Sequence, residues 1–324
     1  MTDIANSIYQ MARDCGFDNC GIIRPEALLG SEQRLKERIE RVPSSAHAYA
    51  NLDIYKPVEE RFPWAKSIIV LTMEHGRYRY PKEMRGRYGK ALFLTPEEGR
   101  NDGWDRQRFE QWLTSQGFRW EGGYGSSPVH DAVPVRYAAL KAGLGIVRKN
   151  NFLYTQRGSF VGLAAYITDC DCELIQHESL RPCSDKCNLC RRACPTGALC
   201  DAYTMDPLRC VSLLTTFGKG MVPDGLSEQM FGEWMCGCDA CQDACPYNRR
   251  HDWDEGEPFS NLDEIAPRLA PSELLKQSDD FIEQEVIPKS DNHLLPGEAA
   301  ILRRAAERAL RNKEFRKRQQ TISN

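Results

Sequence analysis

An α+β chain that hands over to a cysteine-rich module is what this sequence predicts, and three observations carry the prediction. In the first 180 residues, apolar positions alternate between a helical period, as at Ile4, Ile8, Met11, Ala12 and Cys15, and continuous β-branched runs, as at Ser67-Ile-Ile-Val-Leu-Thr-Met73. Two apolar stretches, Phe152-Leu-Tyr-Thr155 and Phe160-Val-Gly-Leu-Ala-Ala-Tyr-Ile167, flank Gln156-Arg157-Gly158-Ser159, which predicts a hairpin and hence antiparallel pairing. Further on, Cys187-Asn-Leu-Cys190-Arg-Arg-Ala-Cys194-Pro195 and Cys238-Asp-Ala-Cys241-Gln-Asp-Ala-Cys245-Pro246 repeat one shape, C-x-x-C-x-x-x-C-P.

Taken in order, residues 3–15 form an amphipathic helix stopped by Gly16, and Phe17 to Ile23 a short strand leading into Arg24-Pro25. Residues 26–41 are helical and charged, and 44–63 are loop and short helix broken by Pro57 and Pro63. The run Ser67–Met73 is a buried strand. Residues 76–104, rich in basic side chains and glycine, carry no clear period. Phe109, Trp112 and Leu113 mark one face of a helix ending at Gly117. His130-Asp131-Ala-Val-Pro-Val-Arg136-Tyr137 leads into a short helix, Ala138 to Ala142, closed by Gly143, and Lys149-Asn150-Asn151 follows in a loop. The expected division is an α+β cofactor or substrate domain at 1–178, the cysteine module at 179–250 and a helical tail at 251–324.

The repeated spacing is the one that wraps thiolates around a 4Fe-4S cubane, and in paired runs the cysteine before proline serves the neighbouring cluster. The interlocking rule gives one cluster Cys183, Cys187, Cys190 and Cys245, and the other Cys194, Cys210, Cys238 and Cys241. Asp206 caps a helix with Pro207 at its first position, which brings Cys210 about one turn in. Cys236 is a rival to Cys210, although Cys-Gly-Cys is cramped for two ligands of one cubane. Zinc uses two C-x-x-C knuckles without the trailing C-x-x-x-C-P, and a disulfide scaffold belongs to small exported chains. Cys15, Cys20, Cys170, Cys172 and Cys200 read as structural.

With 41% hydrophobic residues, net charge −3 and no apolar run long enough for a membrane span, the composition is that of a cytoplasmic, non-membrane protein of 324 residues. The absence of Gly-x-Gly-x-x-Gly and P-loop motifs argues against a dinucleotide or triphosphate site. Residues 301–320 hold eight basic and two acidic side chains on a helical pattern from Ile301 to Leu310. That pattern reads either as a solvated final helix with a frayed tail or as a contact to RNA or phosphate.

Over roughly residues 3–250 the chain resembles the epoxyqueuosine reductases, cobalamin-dependent iron–sulfur enzymes related to respiratory reductive dehalogenases. The likeness rests on Gly16-Phe17, Gly21-Ile22, Ser67-Ile-Ile-Val70, Ala142-Gly-Leu-Gly145, Lys149-Asn150, Gly158-Ser159 and Thr168-Asp169. It continues through Ala193-Cys-Pro-Thr-Gly-Ala198, Arg209-Cys210-Val-Ser212, Cys238-Asp-Ala-Cys241 and Cys245-Pro-Tyr-Asn248. The resemblance implies a nitroreductase-like α+β domain holding cobalamin, two 4Fe-4S clusters that feed it electrons, and a flavodoxin- or ferredoxin-type external donor. It implies epoxyqueuosine in tRNA, or a related small epoxide or halide, as substrate, and it puts Asp131 at the position of the family's proton donor. Lys149, Asn150 and Asn151 are then the polar contacts of the corrinoid, with Gly158 and Ser159 allowing close backbone approach.

The chain departs from the family in four places, the first being the segment after Asp131, two residues shorter than the family's and without its glutamate. Tyr88-Gly-Lys-Ala91 stands where Gly-x-Asp-Tyr-His is usual, the first run opens with the wider Cys183-x-x-x-Cys187, and the helical-repeat tail is shortened. Two other classes stay open at this point: an electron-transfer protein whose first domain only docks a partner, and a flavin enzyme on the same layer.

Overall fold

The computed structural model describes residues 2–49, 53–94, 104–123, 132–249, 252–259, 262–290 and 294–323. Internal contacts group the chain into two units, residues 1–74 with 98–185, and 75–97 with 186–324.

The first unit is built on an antiparallel sheet of strands β1 (Asn19–Ile23), β2 (Ser67–Glu74), β3 (Trp120–Gly123) and β6 (Val161–Thr168), in the order β1-β2-β6-β3. A two-stranded ribbon of β4 (Ile146–Val147) and β5 (Leu153–Tyr154) stands apart from it. All eight residues of β2 are buried, because both sheet faces are covered. On one face Ile68 and Val70 of β2 and Ala165 and Ile167 of β6 join Val135, Ala138 and Ala139 of the helix Val135–Lys141 in one apolar cluster. On the other, Tyr166 meets Phe109 of the helix Arg106–Ser115 with ring centroids 5.4 Å apart, and Phe109 meets Phe17 at 5.8 Å. The helix Thr2–Asp14 lies against β1. Its buried residues, Ala5, Ile8 and Ala12, are those the helical period picked out or sits beside.

The predicted hairpin forms differently. Thr155 and Gly158 bridge across the turn, but the two flanking strands do not continue as partners. β6 runs in register with β2 from Ser67↔Thr168 to Glu74↔Val161 and also pairs with β3, while β5 turns onto β4. The reason is burial: β6 is apolar on both faces and so takes a central place with two neighbours. β5 is held to β4 where Gly145 approaches the Tyr154 carbonyl so closely that a Cβ would lie 2.3 Å from the oxygen.

The second unit has little regular structure before its last helix, Ala299–Ser323. That helix is not simply solvated. Leu302, Ala305, Ala306 and Ala309 are buried, and so are Arg308 and Asn312. Arg308 donates to the carbonyls of Gly220 (3.2 Å) and Trp234 (3.0 Å), and the Asn312 amide to those of Glu228 and Gly232 (both 2.7 Å). Several basic residues of this stretch are paired within the unit: Arg303 with Asp279, Arg311 with Glu228 and Arg316 with Glu233. Among the described residues no helix is long and apolar enough to cross a membrane.

Of the cysteines read as structural, Cys15, Cys20, Cys170 and Cys172 are buried in the first unit, whereas Cys200 is exposed. At the end of β2, buried Glu74 accepts a hydrogen bond from the Thr155 hydroxyl (2.6 Å). Burial lifts its carboxyl from 4.5 to about 7, with the Thr155 bond opposing. The folded chain therefore holds this proton more tightly than the unfolded chain, and the contribution to stability is full at low pH and lost as pH rises from 4.5 to 7. Thermal or urea unfolding between those values should show a fall of about 3 kcal/mol that the Glu74→Gln variant lacks. Parallel pH profiles for the two proteins would remove Glu74 from this role.

Candidate functional site

The two cysteine runs fold alike. In the first, Cys187 and Asn188 precede the short helix Leu189–Ala193, which carries Cys190. In the second, Cys238 and Asp239 precede the helix Ala240–Asp243, which carries Cys241. The two helices pack against each other. Pro195 ends the first, pushing Cys194 out of the helical region to φ −71°, ψ 113°.

Four thiols share one neighbourhood: Cys194, Cys210, Cys238 and Cys241. Burial raises the last three above their ordinary value, and the neighbouring thiols add to the effect. Backbone N–H groups of Ser212 and Leu213 point at the Cys210 sulfur, and that of Ala240 at Cys238. Such donors favour the thiolate over the thiol and are among the levers that tune iron–sulfur centres. Cys210 is placed as the cap of the helix Val211–Thr216, after the turn Pro207–Arg209 that Asp206 caps by accepting from Leu208 N–H (3.0 Å). Arg209 donates twice to the Thr196 carbonyl (3.1 and 2.9 Å), and the Thr196 hydroxyl returns a bond to the Arg209 carbonyl. This strap joins the residue beyond Cys194-Pro195 to the residue before Cys210.

Among the described residues no three His, Cys, Asp or Glu side chains converge on a single-ion position. The donor set fits a four-iron cluster in chemistry: four half-buried sulfurs gathered together, with N–H groups aimed at two of them. Cys236 stands outside the set, buried, with its sulfur 3.9 Å from the Thr215 carbonyl. Of the other expected ligands, Cys190 and Cys245 are buried and Cys187 is half-buried.

The segment that periodicity left unassigned holds the second run in place. Residues 87–90 run beside 235–239: Met235 N–H donates to the Arg87 carbonyl (2.7 Å) and Gly89 N–H to the Cys236 carbonyl (2.8 Å). Gly89 and Gly237 lie so close that a Cβ on Gly237 would sit 3.0 Å from the Gly89 Cα. Lys90, 3% exposed, then closes on the run from both backbone and side chain. Its N–H and its Nζ donate to one Asp239 oxygen (2.8 and 3.1 Å), and Nζ reaches Asp243 at 2.9 Å. The Trp253 ring lies 5.1 Å from the ammonium. Burial lifts the Asp239 carboxyl, chiefly opposed by the Lys90 charge. Lys90 was not a sequence candidate, since nothing in its own neighbourhood marks it.

In the first unit the expected cofactor residues surround β5. Asn150 is buried and donates to the Tyr154 hydroxyl (2.8 Å). Asn151 adopts the left-handed region at φ 67°, tolerable for asparagine, and its carbonyl accepts from Arg136 (2.6 Å). Lys149 Nζ donates to the carbonyls of Ser184 and Asp185 (both 2.8 Å). Gly158, at φ 106°, occupies the Thr155–Gly158 turn, with Ser159 buried after it. Arg148, also missed by the sequence reading, is 1% exposed, lies over the Tyr154 ring at 5.0 Å and brings Nη1 to 3.9 Å from the Cys183 sulfur. Asp131 lies outside the described residues.

A description of 4Fe-4S double cluster binding domains matches residues 183–248. An epoxyqueuosine reductase of Leadbetterella byssophila is 31% identical over 301 residues, 86% of this chain and 93% of its own length. Another, from Gloeobacter violaceus, is 28% identical over 96% of this chain and 97% of its own. Among solved structures, an epoxyqueuosine reductase bound to an epoxyqueuosine-modified tRNA-Tyr stem loop aligns over 95% of this chain and 81% of its own, with TM-score 0.75 and 24% identity. The reductase from Streptococcus thermophilus aligns over 96% of this chain and 81% of its own, with TM-score 0.75 and 23% identity. These two structures give the likeness of fold.

Removing the Lys90 charge leaves Asp239 buried without its cation, which costs about 3–5 kcal/mol in comparable sites. Lys90→Met should therefore unfold at markedly lower urea concentration, and Lys90→Met with Asp239→Asn should recover much of the loss. A single variant as stable as the parent would show that the ion pair holds nothing.

Proposed function

This chain belongs to the epoxyqueuosine reductase family, and from that membership we propose that it reduces epoxyqueuosine carried in tRNA, using two 4Fe-4S clusters and a cobalamin. It is an iron–sulfur oxidoreductase. The electron-carrier reading gives way because the likeness spans 93% of a reductase's own length, cysteine module and preceding domain together. The observation that carries the chemistry is the gathering of Cys194, Cys210, Cys238 and Cys241.

In this reading those four hold one cluster and Cys183, Cys187, Cys190 and Cys245 the other, by the interlocking rule. The first unit is the nitroreductase-like layer, and cobalamin is held by Lys149, Asn150 and Asn151 with Gly158 and Ser159. The residues fit such a group in kind. A corrin rim of amides calls for neutral donors and acceptors and for backbone without a side chain in the way. Buried Asn150, Asn151 and Ser159 and the positive-φ Gly158 supply both. When bound, the clusters supply single electrons at low potential and the corrinoid a strong nucleophile.

The net reaction takes up two electrons and two protons, breaks both C–O bonds of the epoxide and releases the oxygen as water, leaving an alkene. The chain's own part is to position the nucleoside and deliver a proton to the departing oxygen. Asp131 is the proposed donor, a role that requires its carboxyl to be protonated near neutral pH. Electrons enter from a flavodoxin- or ferredoxin-type protein.

An anaerobically reconstituted sample with a chemical reductant should convert an epoxyqueuosine-bearing anticodon stem-loop to the queuosine form, read by mass spectrometry as loss of one oxygen. A sample with full iron and corrinoid that leaves the stem-loop unchanged would sink the substrate. Asp131→Asn should retain both cofactors and lose turnover by at least about a hundredfold, within the usual range for a general acid. Retained activity would strike Asp131 from the mechanism. Cys210→Ala should lose about half the iron and Cys236→Ala none, by colorimetric iron analysis, as one cubane of two depends on the former. The reverse result would exchange their roles.

A further inference from the structure

The cysteine-rich unit contains an open cleft of about 440 Å³ that the reading above does not use. Three arginines line it, Arg85 and Arg87 from the segment before Lys90 and Arg316 from the last helix. The lining has one carboxylate, Glu233, which Arg87 and Arg316 share at 3.4 and 2.6 Å. Asp254, which is not in the lining, pairs with Arg85 at 2.9 Å. The basic character is thus local, in a chain whose net charge is −3.

What distinguishes this cleft from any arginine patch is its wall. Ala193 and Pro195 line it on either side of Cys194 in sequence, and Ala240 lines it just before Cys241. Both cysteines belong to the four-thiol group. The cleft is therefore arginine-rich and walled by the chain neighbours of two of the four gathered cysteines.

We propose that the cleft is the docking site of a small acidic one-electron carrier protein, which presents carboxylates to Arg85, Arg87 and Arg316 beside the Cys194–Cys241 cluster. The proposal rests on the function proposed above. Two reduced carriers, one epoxide and two protons give two oxidised carriers, the alkene and water. Each carrier gives one electron and must then leave. Such an encounter suits a small, charge-steered contact better than a large apolar one. An RNA backbone would also seek arginines, but the position beside Cys194 and Cys241 gives a carrier a reason to bind there that a phosphate lacks.

The test uses the iron-replete full chain and a flavodoxin as probe. Titration calorimetry at low and high salt gives the affinity of the oxidised flavodoxin, and loss of cluster absorbance gives the rate of reduction by the reduced form. Arg316→Glu should weaken binding and slow reduction about tenfold at low salt, with the difference shrinking at high salt. Arg316→Lys should stay near the parent, as should Arg304→Glu, a charge reversal at an exposed site on the same helix outside the cleft. Reduction by dithionite should be unchanged in all of them. Unaltered flavodoxin binding in Arg316→Glu would overturn the proposal, as would an equal loss in Arg304→Glu. Loss of tRNA stem-loop affinity in its place would reassign the cleft to RNA. Iron analysis of the same samples tests the clusters separately, so failure of the docking site and failure of the cofactor reading give different results.

Discussion

Burial pushes the thiols of Cys210, Cys238 and Cys241 up, and neighbouring sulfurs, Cys194 among them, raise each of the three further. Metal binding at such thiols releases their protons. Holding such sulfurs together falls to segments that cannot hold themselves. Their helices, Leu189–Ala193 and Ala240–Asp243, have five and four residues, far short of independent stability. The order in this unit is accordingly imposed by polar ties from elsewhere in the chain. Arg209 and Thr196 lock two backbone segments that each lead to a cysteine, and the Thr215 hydroxyl accepts the Gly237 N–H at 2.9 Å beside the second run.

Lys90 is a costly tie and a specific one. A buried ammonium among two carboxylates and an aromatic ring gains little net stability over an apolar alternative. It does, however, accept only one arrangement of the run, because Asp239 must meet a backbone N–H and a side-chain ammonium at once. The same logic appears at the last helix, where Arg308 and Asn312 satisfy four carbonyls and so fix how that helix lies on the segments 220 and 228–234. In both places long-range polar bonds replace the periodic apolar packing that positions the first unit's sheet.

That contrast explains how much of the molecule was legible from sequence. The helix Thr2–Asp14 and strands β1 and β2 follow from apolar periods, which are local, and the repeated cysteine spacing declares its chemistry outright. The hairpin failed as a strand pair because local turn signals say nothing of which strand needs two neighbours. Residues 76–94 were unreadable because their structure lies in single bonds to positions some 150 residues away, among them Lys90 to Asp239. The last helix reads from sequence as either solvated or facing RNA or phosphate, because a count of charges hides that Arg303, Arg311 and Arg316 have partners in the same unit and that Arg308 is buried.

The loop before β5 shows a further limit of reading residues one at a time. The sequence gives Lys149 a cofactor and Cys183 a cluster, as separate assignments. In the structure Arg148 reaches the Cys183 sulfur and Lys149 takes the next two carbonyls, so two consecutive cations grip three consecutive residues. The loop is thereby ordered without help from a ligand: Asn150 is held by Tyr154, and Asn151 accepts the strained backbone angle that lets the chain turn. A preordered loop loses little conformational entropy when it receives a partner. It also ties the position of Cys183 to that of Lys149 and Asn150, so that a change in one of these places must be felt in the other.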